Sequence, residues 1–200
     1  APVYETIMRF SSDGLNLPDS LEMAAHQKHP AGFETISAFI EREGLTPGNM
    51  REWSYFSQII QTLGYKKAIE EHRLAAPFCM GTLYWQFNDC WPVVSWSGID
   101  SYGRWKSVQY AIRDLYRASV IASEYSKGVI RTRVISDSGT SEAGVVNVYV
   151  KNMSGETIGT HKYDFERASG DGCEEYKLNL KIEDTCGTLL YSELDLGGEH

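Results

Sequence analysis

The most constraining feature of this sequence is a change of pattern near Ala118. All five tryptophans of the 200-residue chain precede that residue, in a region with segments long enough for helices. After it, short segments of alternating apolar and polar residues are separated by clusters of glycine, serine, asparagine and aspartate, which is the pattern of strands and turns. We therefore predict two domains, residues 1–118 and 119–200.

The first domain is predicted to be mainly helical. Ser20 is a good N-cap for a short helix, and Asn49 with Glu52 forms the capping-box pattern that opens a long one. Further helices are expected over residues 33–43 and 104–117. Apolar residues recur on one face of the last two helices and are expected in the core: Trp53, Phe56, Ile60, Leu63, Trp105, Val108, Ile112 and Leu115.

One apolar run in the first domain is interpreted as a strand. Residues 78–87 follow Pro77 and are almost continuously apolar and aromatic. Such a run is typical of a strand that is buried on both faces, as in a parallel sheet covered by helices. The pattern therefore predicts an α/β arrangement for this part of the chain.

The second domain is predicted to be all-β. Turn residues divide it into six candidate strands, at residues 120–125, 129–136, 145–151, 160–165, 176–182 and 188–194. Six strands at this spacing favour an immunoglobulin-like β-sandwich that is one strand short of the usual seven.

Composition excludes several classes of function. The net charge of −8 disfavours a nucleic-acid-binding protein, which needs a basic face. No segment approaches the roughly 20 apolar residues that a membrane-spanning helix requires, so no membrane partner is expected. We predict a protein of the cytoplasm.

The cysteines and histidines do not suggest a metal site. Cys79, Cys90, Cys173 and Cys186 contain no pair at zinc-ligand spacing, and the His26–His29 segment has no evident third ligand. Cys173 and Cys186 could face each other across a hairpin. Four cysteines in a chain of this length are more often buried thiols, which favours a reducing compartment.

The densest group of candidate binding residues follows the apolar run. Trp85, Asn88, Asp89 and Trp91 place aromatic faces and short polar side chains at the carboxyl end of the predicted strand, where α/β proteins put their binding sites. Sugars need both kinds of group, flat faces for their C–H surfaces and polar groups for their hydroxyls. The same pattern also fits core tryptophans with Asp89 capping a turn, and the pattern alone leaves both readings open.

A longer motif resembles a known family. Residues 77–97 (PFCMGTLYWQFNDCWPVVSWS), with residues 99–106 (IDSYGRWK) after them, resemble the β-mannosidases of glycoside hydrolase family 2. Residues 26–30 (HQKHP) and 70–73 (EEHR) match the same pattern. The resemblance covers about residues 3–116, and the second domain matches only in kind, as the β-sandwich that follows the barrel in this family.

The resemblance implies a fold and a site. Residues 78–87 would be the eighth strand of a (β/α)₈ barrel, so the expected fold class is α/β plus all-β, a partial barrel followed by an immunoglobulin-like β-sandwich. Trp85 would be the platform for the mannosyl ring in the −1 subsite, and Asn88, Asp89 and Trp91 would line or support its rim. The implied activity is retaining hydrolysis of terminal β-mannosides by two glutamates about 5 Å apart, without a metal or other cofactor.

The chain departs from the family pattern at the catalytic residues. The sequence has no Asn-Glu pair for the acid/base, and the Ser-Glu-(Phe/Tyr)-Gly nucleophile motif is expected upstream of His26. The similar Ser123–Ser126 segment follows the predicted eighth strand, so Glu124 is not assigned as the nucleophile. No catalytic residue is therefore assigned on this chain. We expect a C-terminal piece with a truncated sandwich, inactive by itself.

The expected partners follow from this interpretation. They are a β-mannoside or a mannose-containing oligosaccharide and the rest of the barrel domain, and the exposed edges of a lone barrel strand also predict self-association into a homo-oligomer. One alternative is a non-catalytic carbohydrate-binding or assembly module in which Trp85, Trp91 and Trp96 form the contact surface. Another is a self-contained α+β domain with buried tryptophans and no response to sugars.

Overall fold

The chain forms two compact units in the computed structural model, which describes residues 1–11, 20–168, 172–180, 182 and 187–197. The first unit contains residues 1–72 and 79–115, and the second contains residues 73–78 and 116–200. None of the helices in the described ranges is both long enough and apolar enough to cross a bilayer.

The described residues form five helices, two of which begin where the capping residues predict. The helices are α1 (Tyr4–Phe10), α2 (Leu21–Ala25), α3 (Gly32–Arg42), α4 (Met50–Leu74) and α5 (Ser107–Leu115). Ser20 Oγ accepts a hydrogen bond from Met23 N at 3.1 Å before α2, and Asn49 Oδ1 accepts one from Glu52 N at 3.0 Å before α4. Both N-cap predictions are therefore confirmed.

The helices enclose two small cores. Trp53 of α4 is buried in the first, where its ring centroid lies 5.4 Å from that of Phe33. The predicted apolar face of α4 is right at Trp53 but wrong at Leu63, which is exposed. The second core consists of residues from α4 and α5, namely Ile69, Val108, Ile112 and Leu115.

Trp105 does not belong to the buried face of α5 as predicted. The helix begins only at Ser107, and Trp105 forms an antiparallel bridge with Ile99 instead. Extended backbone at Trp105 removes its side chain from the helical periodicity, so the indole is exposed and packs edge-on against Tyr110 at 5.0 Å.

Residues 78–87 do not form the predicted strand, and the segment is not buried on both faces. The exposed fractions of Leu83, Trp85 and Phe87 are 100%, 73% and 59%. Tyr84, on the opposite side, is half-buried and donates from Oη to Gln109 Oε1 at 2.9 Å. The reason is that a strand needs flanking strands to pair its backbone, and none of the described strands pairs with this segment. Its last residues, Gln86 and Phe87, accept backbone hydrogen bonds from Gly98 N and Ile99 N.

The described residues of the second unit form six antiparallel strands. They are β1 (Ser119–Ser126), β2 (Val129–Ser136), β3 (Glu142–Asn152), β4 (Thr157–Arg167), β5 (Gly172–Asn179) and β6 (Thr188–Asp195). One sheet has the order β1-β2-β5 and the other β4-β3-β6. The six predicted strands are confirmed, although β5 begins earlier than predicted. Residues 181 and 183–186, which include Cys186, lie outside the described residues.

The two sheets of this unit share a hydrophobic core. Ile130 and Val134 of β2 contribute from one sheet, and Val146 and Val148 of β3 with Phe165 of β4 contribute from the other. Each strand therefore presents alternate residues to this core, as its sequence pattern predicts.

The prediction that the cysteines are buried thiols is wrong for those that the structure describes. Cys79 is half-buried, Cys90 and Cys173 are exposed, and all three are free thiols. Cys79 and Cys90 lie in irregular segments and Cys173 lies on β5 at the edge of its sheet, so none has neighbours on every side.

A charged pair stabilises one end of the second unit. Glu142 Oε2 lies 3.7 Å from Nη2 of the buried Arg167, and Ser119 Oγ donates to Glu142 Oε1 at 2.7 Å. Burial tends to raise the pKa of the Glu142 carboxyl, but hydroxyl hydrogen bonds and the Arg167 charge outweigh it and lower the pKa below its ordinary 4.5. The carboxylate therefore stabilises the fold fully above pH 4.5, and this stabilisation is lost as the pH falls further.

We expect Glu142→Gln to lower the free energy of unfolding at pH 7 by about 1.5–3 kcal/mol, because it leaves the Arg167 guanidinium buried without a counter-charge. Urea denaturation followed by far-UV circular dichroism, at neutral pH and again below the Glu142 pKa, measures this loss. Glu166→Gln, at an exposed position of β4, is the matched control. A loss of equal size at both pH values would contradict the assignment to the charge of Glu142.

Candidate sugar-binding site

Trp85 presents its indole to solvent while its backbone is anchored. The side chain is 73% exposed, and the Trp85 carbonyl accepts a hydrogen bond from Tyr65 Oη of α4 at 3.1 Å. The peptide bond between Trp85 and Gln86 is cis. Since the ring has a free face and a fixed backbone, it is suited to stack against a flat apolar surface such as that of a sugar.

The residues after Trp85 pair with a second segment of the same loop. Gly98 N donates to Gln86 O at 3.0 Å and to Phe87 O at 3.1 Å, and Ile99 N donates to Phe87 O at 2.9 Å. Asp89 N in turn donates to Ile99 O at 3.0 Å. These bonds close residues 86–99 into a loop, called here the 86–99 loop, which carries Asn88, Asp89 and Trp91.

Position 98 of this loop favours glycine. A Cβ atom on Gly98 would overlap Gln109 Oε1 and lie 3.4 Å from Phe87 O. Gln109 cannot easily move away because it is buried and accepts the hydrogen bond from Tyr84. The close approach of α5 to the loop therefore depends on the missing side chain of Gly98.

A buried polar cluster lies under the loop. Asp89 is 4% exposed and Lys106 is 0% exposed, and Lys106 Nζ lies 3.2 Å from Asp89 Oδ2. Ser95 Oγ donates to Asp89 Oδ1 and Ser97 Oγ to Asp89 Oδ2, both at 2.6 Å, while Lys106 Nζ donates to Ser97 Oγ at 2.7 Å. We call these four residues the Asp89 cluster.

The electrostatics of the Asp89 cluster are those of a desolvated ion pair. Burial lowers the pKa of the Lys106 ammonium below its ordinary 10.5, and the nearby Asp89 carboxylate opposes part of that shift. Both oxygens of Asp89 already accept hydrogen bonds from within the protein. The carboxylate therefore supports the loop from below and is not presented to a ligand.

Gln86 and Asn88 connect the cluster to the exposed residues. Gln86 Nε2 donates to Asn88 O at 2.8 Å and lies 3.4 Å from Asp89 Oδ1. Asn88 itself is exposed, and its Nδ2 donates to Asp89 O at 3.3 Å. The amide of Asn88 is thus held beside the backbone at a position where it remains accessible to a ligand.

Trp91 is held by aromatic stacking rather than by burial in the core. Its ring centroid lies 5.6 Å from that of His26, which stacks on Phe10 at 4.1 Å with an interplanar angle of 11°. His26 Nδ1 donates to Pro92 O at 2.6 Å. Because the Pro92 carbonyl can only accept, Nδ1 carries the proton, and His26 has a structural role beside Trp91.

The described residues contain no group of three or more histidine, cysteine or acidic side chains placed to hold a metal. Glu124, set aside on sequence grounds, lies on β1 with Oε1 2.6 Å from Arg133 Nη2 and 3.8 Å from Arg131 Nη1. Its carboxylate is therefore paired with two arginines of the neighbouring strand.

The structure places three of the predicted site residues in the 86–99 loop and Trp85 directly before it, and gives them different environments. Trp85, Asn88 and Trp91 are exposed, whereas Asp89 is buried. An exposed indole beside a fixed amide can bind a sugar ring, while the buried carboxylate can only support that arrangement.

Sequence reasoning missed the partners of Asp89. Lys106 lies within residues 99–106 but received no role, because a lysine in the first turn of the helix predicted over residues 104–117 is usually a solvated residue. The available signal was the pair of small hydroxyl residues, Ser95 and Ser97, beside the apolar and buried Val93 and Val94. Such residues are common hydrogen-bond donors to a buried carboxylate.

The chain is similar in sequence to known beta-mannosidases. Beta-mannosidase A of Emericella nidulans is 35% identical over 115 residues, which is 55% of this chain and 12% of that protein. Beta-mannosidase A of Neosartorya fischeri is 33% identical over 115 residues, with the same shares of 55% and 12%. The chain thus spans about an eighth of the length of these relatives. No protein-family model matches it.

Solved structures extend the similarity to nearly the whole chain. The crystal structure of beta-D-mannosidase from Dictyoglomus thermophilum has a TM-score of 0.86 and 32% identity, and the match covers 96% of this chain and 24% of that one. The exo-chitosanase of Amycolatopsis orientalis has a TM-score of 0.63 at 17% identity, covers 82% of this chain and 20% of that one, and shows the fold alone. In sequence and in fold, the chain is β-mannosidase-like, similar to a segment of the β-mannosidases of glycoside hydrolase family 2.

Proposed function

We propose that this chain is part of a retaining β-mannosidase that hydrolyses terminal β-D-mannosides. Its residues 1–118 would form the C-terminal part of the (β/α)₈ barrel and residues 119–200 an immunoglobulin-like β-sandwich. The similarity to β-mannosidases supports a glycosidase-like function, and the geometry of Trp85 is the observation that carries the assignment of the sugar site.

Trp85 would bind the mannosyl ring in the −1 subsite. Its free indole face can cover the apolar face of a sugar, and Asn88 supplies an amide for a hydroxyl. Trp91, whose ring lies against that of His26, would line the same rim. The hydrogen bonds to the Asp89 carboxylate would keep the shape of this rim the same with and without sugar.

The catalytic glutamates would come from polypeptide outside these 200 residues. The sequence has no Asn-Glu pair, and Glu124 is paired with two arginines. Retaining hydrolysis needs a proton donor and a nucleophile about 5 Å apart, so the chain would be inactive alone.

The partner that completes the site would be the rest of the barrel domain. Leu83, Trp85 and Phe87 form an exposed row on one side of residues 83–87, and Tyr84 faces α4 and α5 on the other. Strands on either side would pair the open backbone of this segment. The same open edges would allow chains to self-associate when that partner is missing.

A second candidate is a non-catalytic carbohydrate-binding or assembly module. The exposure of Trp85 and Trp91 favours it, because exposed tryptophans serve either purpose. It predicts binding of mannose-containing oligosaccharides without hydrolysis under any condition.

Hydrolysis of p-nitrophenyl β-D-mannoside tests the proposal. The chain is assayed alone and after mixing with a polypeptide that supplies the Asn-Glu and Ser-Glu-(Phe/Tyr)-Gly motifs. We expect activity only in the mixture and a decrease in kcat/KM of roughly 10- to 100-fold for Trp85→Ala, the loss of about 1.5–3 kcal/mol from one large side-chain contact.

The matched control is Trp105→Ala, which removes an exposed tryptophan that packs against Tyr110. It should retain most of the activity of the mixture. Hydrolysis by the chain alone would contradict the assignment of both glutamates to other polypeptide. An inactive mixture in which both pieces are folded and associated would favour the non-catalytic module.

A further inference from the structure

Lys106 is a fully buried charged residue of the Asp89 cluster. Its exposed fraction is 0%, and its Nζ contacts Asp89 and Ser97. We propose that Lys106 is a positioning residue that acts through Asp89 to hold the 86–99 loop, and with it the exposed surface of Asn88 and Trp91. What this surface binds rests on the proposed function, but the positioning itself does not.

Two routes connect Lys106 to the loop. The first is through side chains. Lys106 Nζ lies 3.2 Å from Asp89 Oδ2, and Asp89 Oδ1 lies 3.4 Å from Nε2 of Gln86, the residue next to Trp85. The second is through the backbone, where Lys106 N donates to Gly98 O at 2.9 Å. Lys106 therefore contacts both halves of the loop, the first at Asp89 and the second at Gly98.

The Asp89 carboxylate holds residues that are distant from it in sequence. Ser95 Oγ and Ser97 Oγ both donate to it, so it fixes the second half of the loop against the first. Ser97 is itself the acceptor for Lys106 Nζ. Removal of the ammonium would leave the carboxylate buried without its counter-charge and would let the Ser97 hydroxyl donate to Ile99 O, which already lies 2.9 Å from Ser97 Oγ, instead of to Asp89.

Stability alone does not explain an ion pair at this place. Two apolar residues of similar volume would fill the space without the cost of removing both charges from water. The hydrogen bonds of an ion pair differ from apolar packing because they define one arrangement of the groups around them. The Asp89 cluster is therefore suited to fix the shape of the loop.

The experiment separates positioning from stability with a single and a double variant. Lys106→Met removes the ammonium but leaves the buried carboxylate unpaired, so this variant is expected to lose stability throughout the unit. Asp89→Asn/Lys106→Met removes both charges and conserves both volumes, which is expected to restore most of that stability. Lys67→Met, at an exposed lysine paired with Glu71, is the control for removal of one positive charge.

Amide hydrogen exchange of the 200-residue chain is the primary measurement. In the double variant, exchange at Asp89, Gly98 and Ile99 is expected to accelerate at least tenfold, while the buried α4 residues Trp53 and Ile69 exchange as in the parent chain. Lys67→Met should match the parent at all five amides. Parent-like exchange at Asp89, Gly98 and Ile99 in the double variant would overturn the proposal.

The hydrolysis assay with the complementing polypeptide is the second measurement. If the parent mixture is active, the double variant should show at least a tenfold lower kcat/KM at parent-like stability, and recovery of kcat/KM together with stability would overturn the positioning role. If the parent mixture is inactive, the proposed function fails, and the exchange result still decides whether Lys106 holds the loop.

Discussion

Trp53→Ala is expected to lower the free energy of unfolding of the helical unit by about 3–5 kcal/mol. The indole is buried, its ring lies 5.4 Å from that of Phe33, and its Nε1 donates to Ser37 Oγ at 3.1 Å. Truncation to alanine removes the apolar contacts, leaves a cavity between α3 and α4, and leaves the Ser37 hydroxyl without this donor. Urea denaturation of the parent and variant chains, followed by far-UV circular dichroism, measures the difference.

Tyr55→Ala is the matched control for this prediction. Tyr55 lies two residues further along α4 and is exposed, so its loss is expected to cost less than about 1 kcal/mol. Similar losses for Trp53→Ala and Tyr55→Ala would mean that α4 does not pack against α3 through Trp53.

Gly144→Ala is expected to destabilise the second unit by about 3 kcal/mol, at the upper end of the cost of overpacking. A Cβ atom at Gly144 would overlap the backbone carbonyl of Asp195 and lie 3.0 Å from Leu196 Cα. Because these neighbours are backbone atoms, no side-chain rotation relieves the overlap, and β6 must move away from β3. The midpoint of urea denaturation and the amide exchange rates of β6 should both report the change.

Gly159→Ala provides the comparison within the same sheet. A Cβ atom there would make ordinary contacts, 3.7 Å from Val150 Cβ and 3.9 Å from Val150 Cγ2. We expect this variant to be close to the parent in stability. Equal stabilities of Gly144→Ala and Gly159→Ala would mean that β6 does not approach β3 closely at Gly144.

The starts of α2 and α4, the position of Trp53 on the buried face of α4 and the strands of the second unit were predictable because local chemistry determines them. Ser20 and Asn49 cap helices with their own side chains, and Trp53 follows the 3.6-residue period of α4. In the second unit, alternation with a period of two places Val146 and Val148 in the core, as their spacing in the sequence indicates.

The environment of residues 78–87 was not predictable in the same way. An apolar run indicates that a segment tends to be buried, but it does not indicate which polypeptide buries it. Leu83 belongs to the apolar run, and its side chain is nevertheless exposed. Trp105 was misplaced because its bridge to Ile99 depends on a contact outside the helix that follows. Both errors come from pairing between segments that local periodicity does not encode.

The candidate site was predictable in its residues but not in their roles. The motif singled out Trp85, Asn88, Asp89 and Trp91, and the structure places all four in or beside the 86–99 loop. The distinction between the exposed Trp85 and the buried Asp89 depends on Ser95, Ser97 and Lys106. These residues are up to 17 positions away in sequence from Asp89.

The unequal exposure of the tryptophans gives the chain an intrinsic optical reporter. Trp85 is 73% exposed whereas Trp53 is 1% exposed, so a small collisional quencher such as acrylamide should reach the Trp85 indole readily and the Trp53 indole hardly at all. The accessible part of the emission would therefore come mainly from Trp85 of the proposed sugar platform, with smaller shares from Trp91 and Trp105, which are 38% and 37% exposed. Protection of that emission, together with a shift to shorter wavelength, would report the covering of this surface by polypeptide or by sugar without any added label.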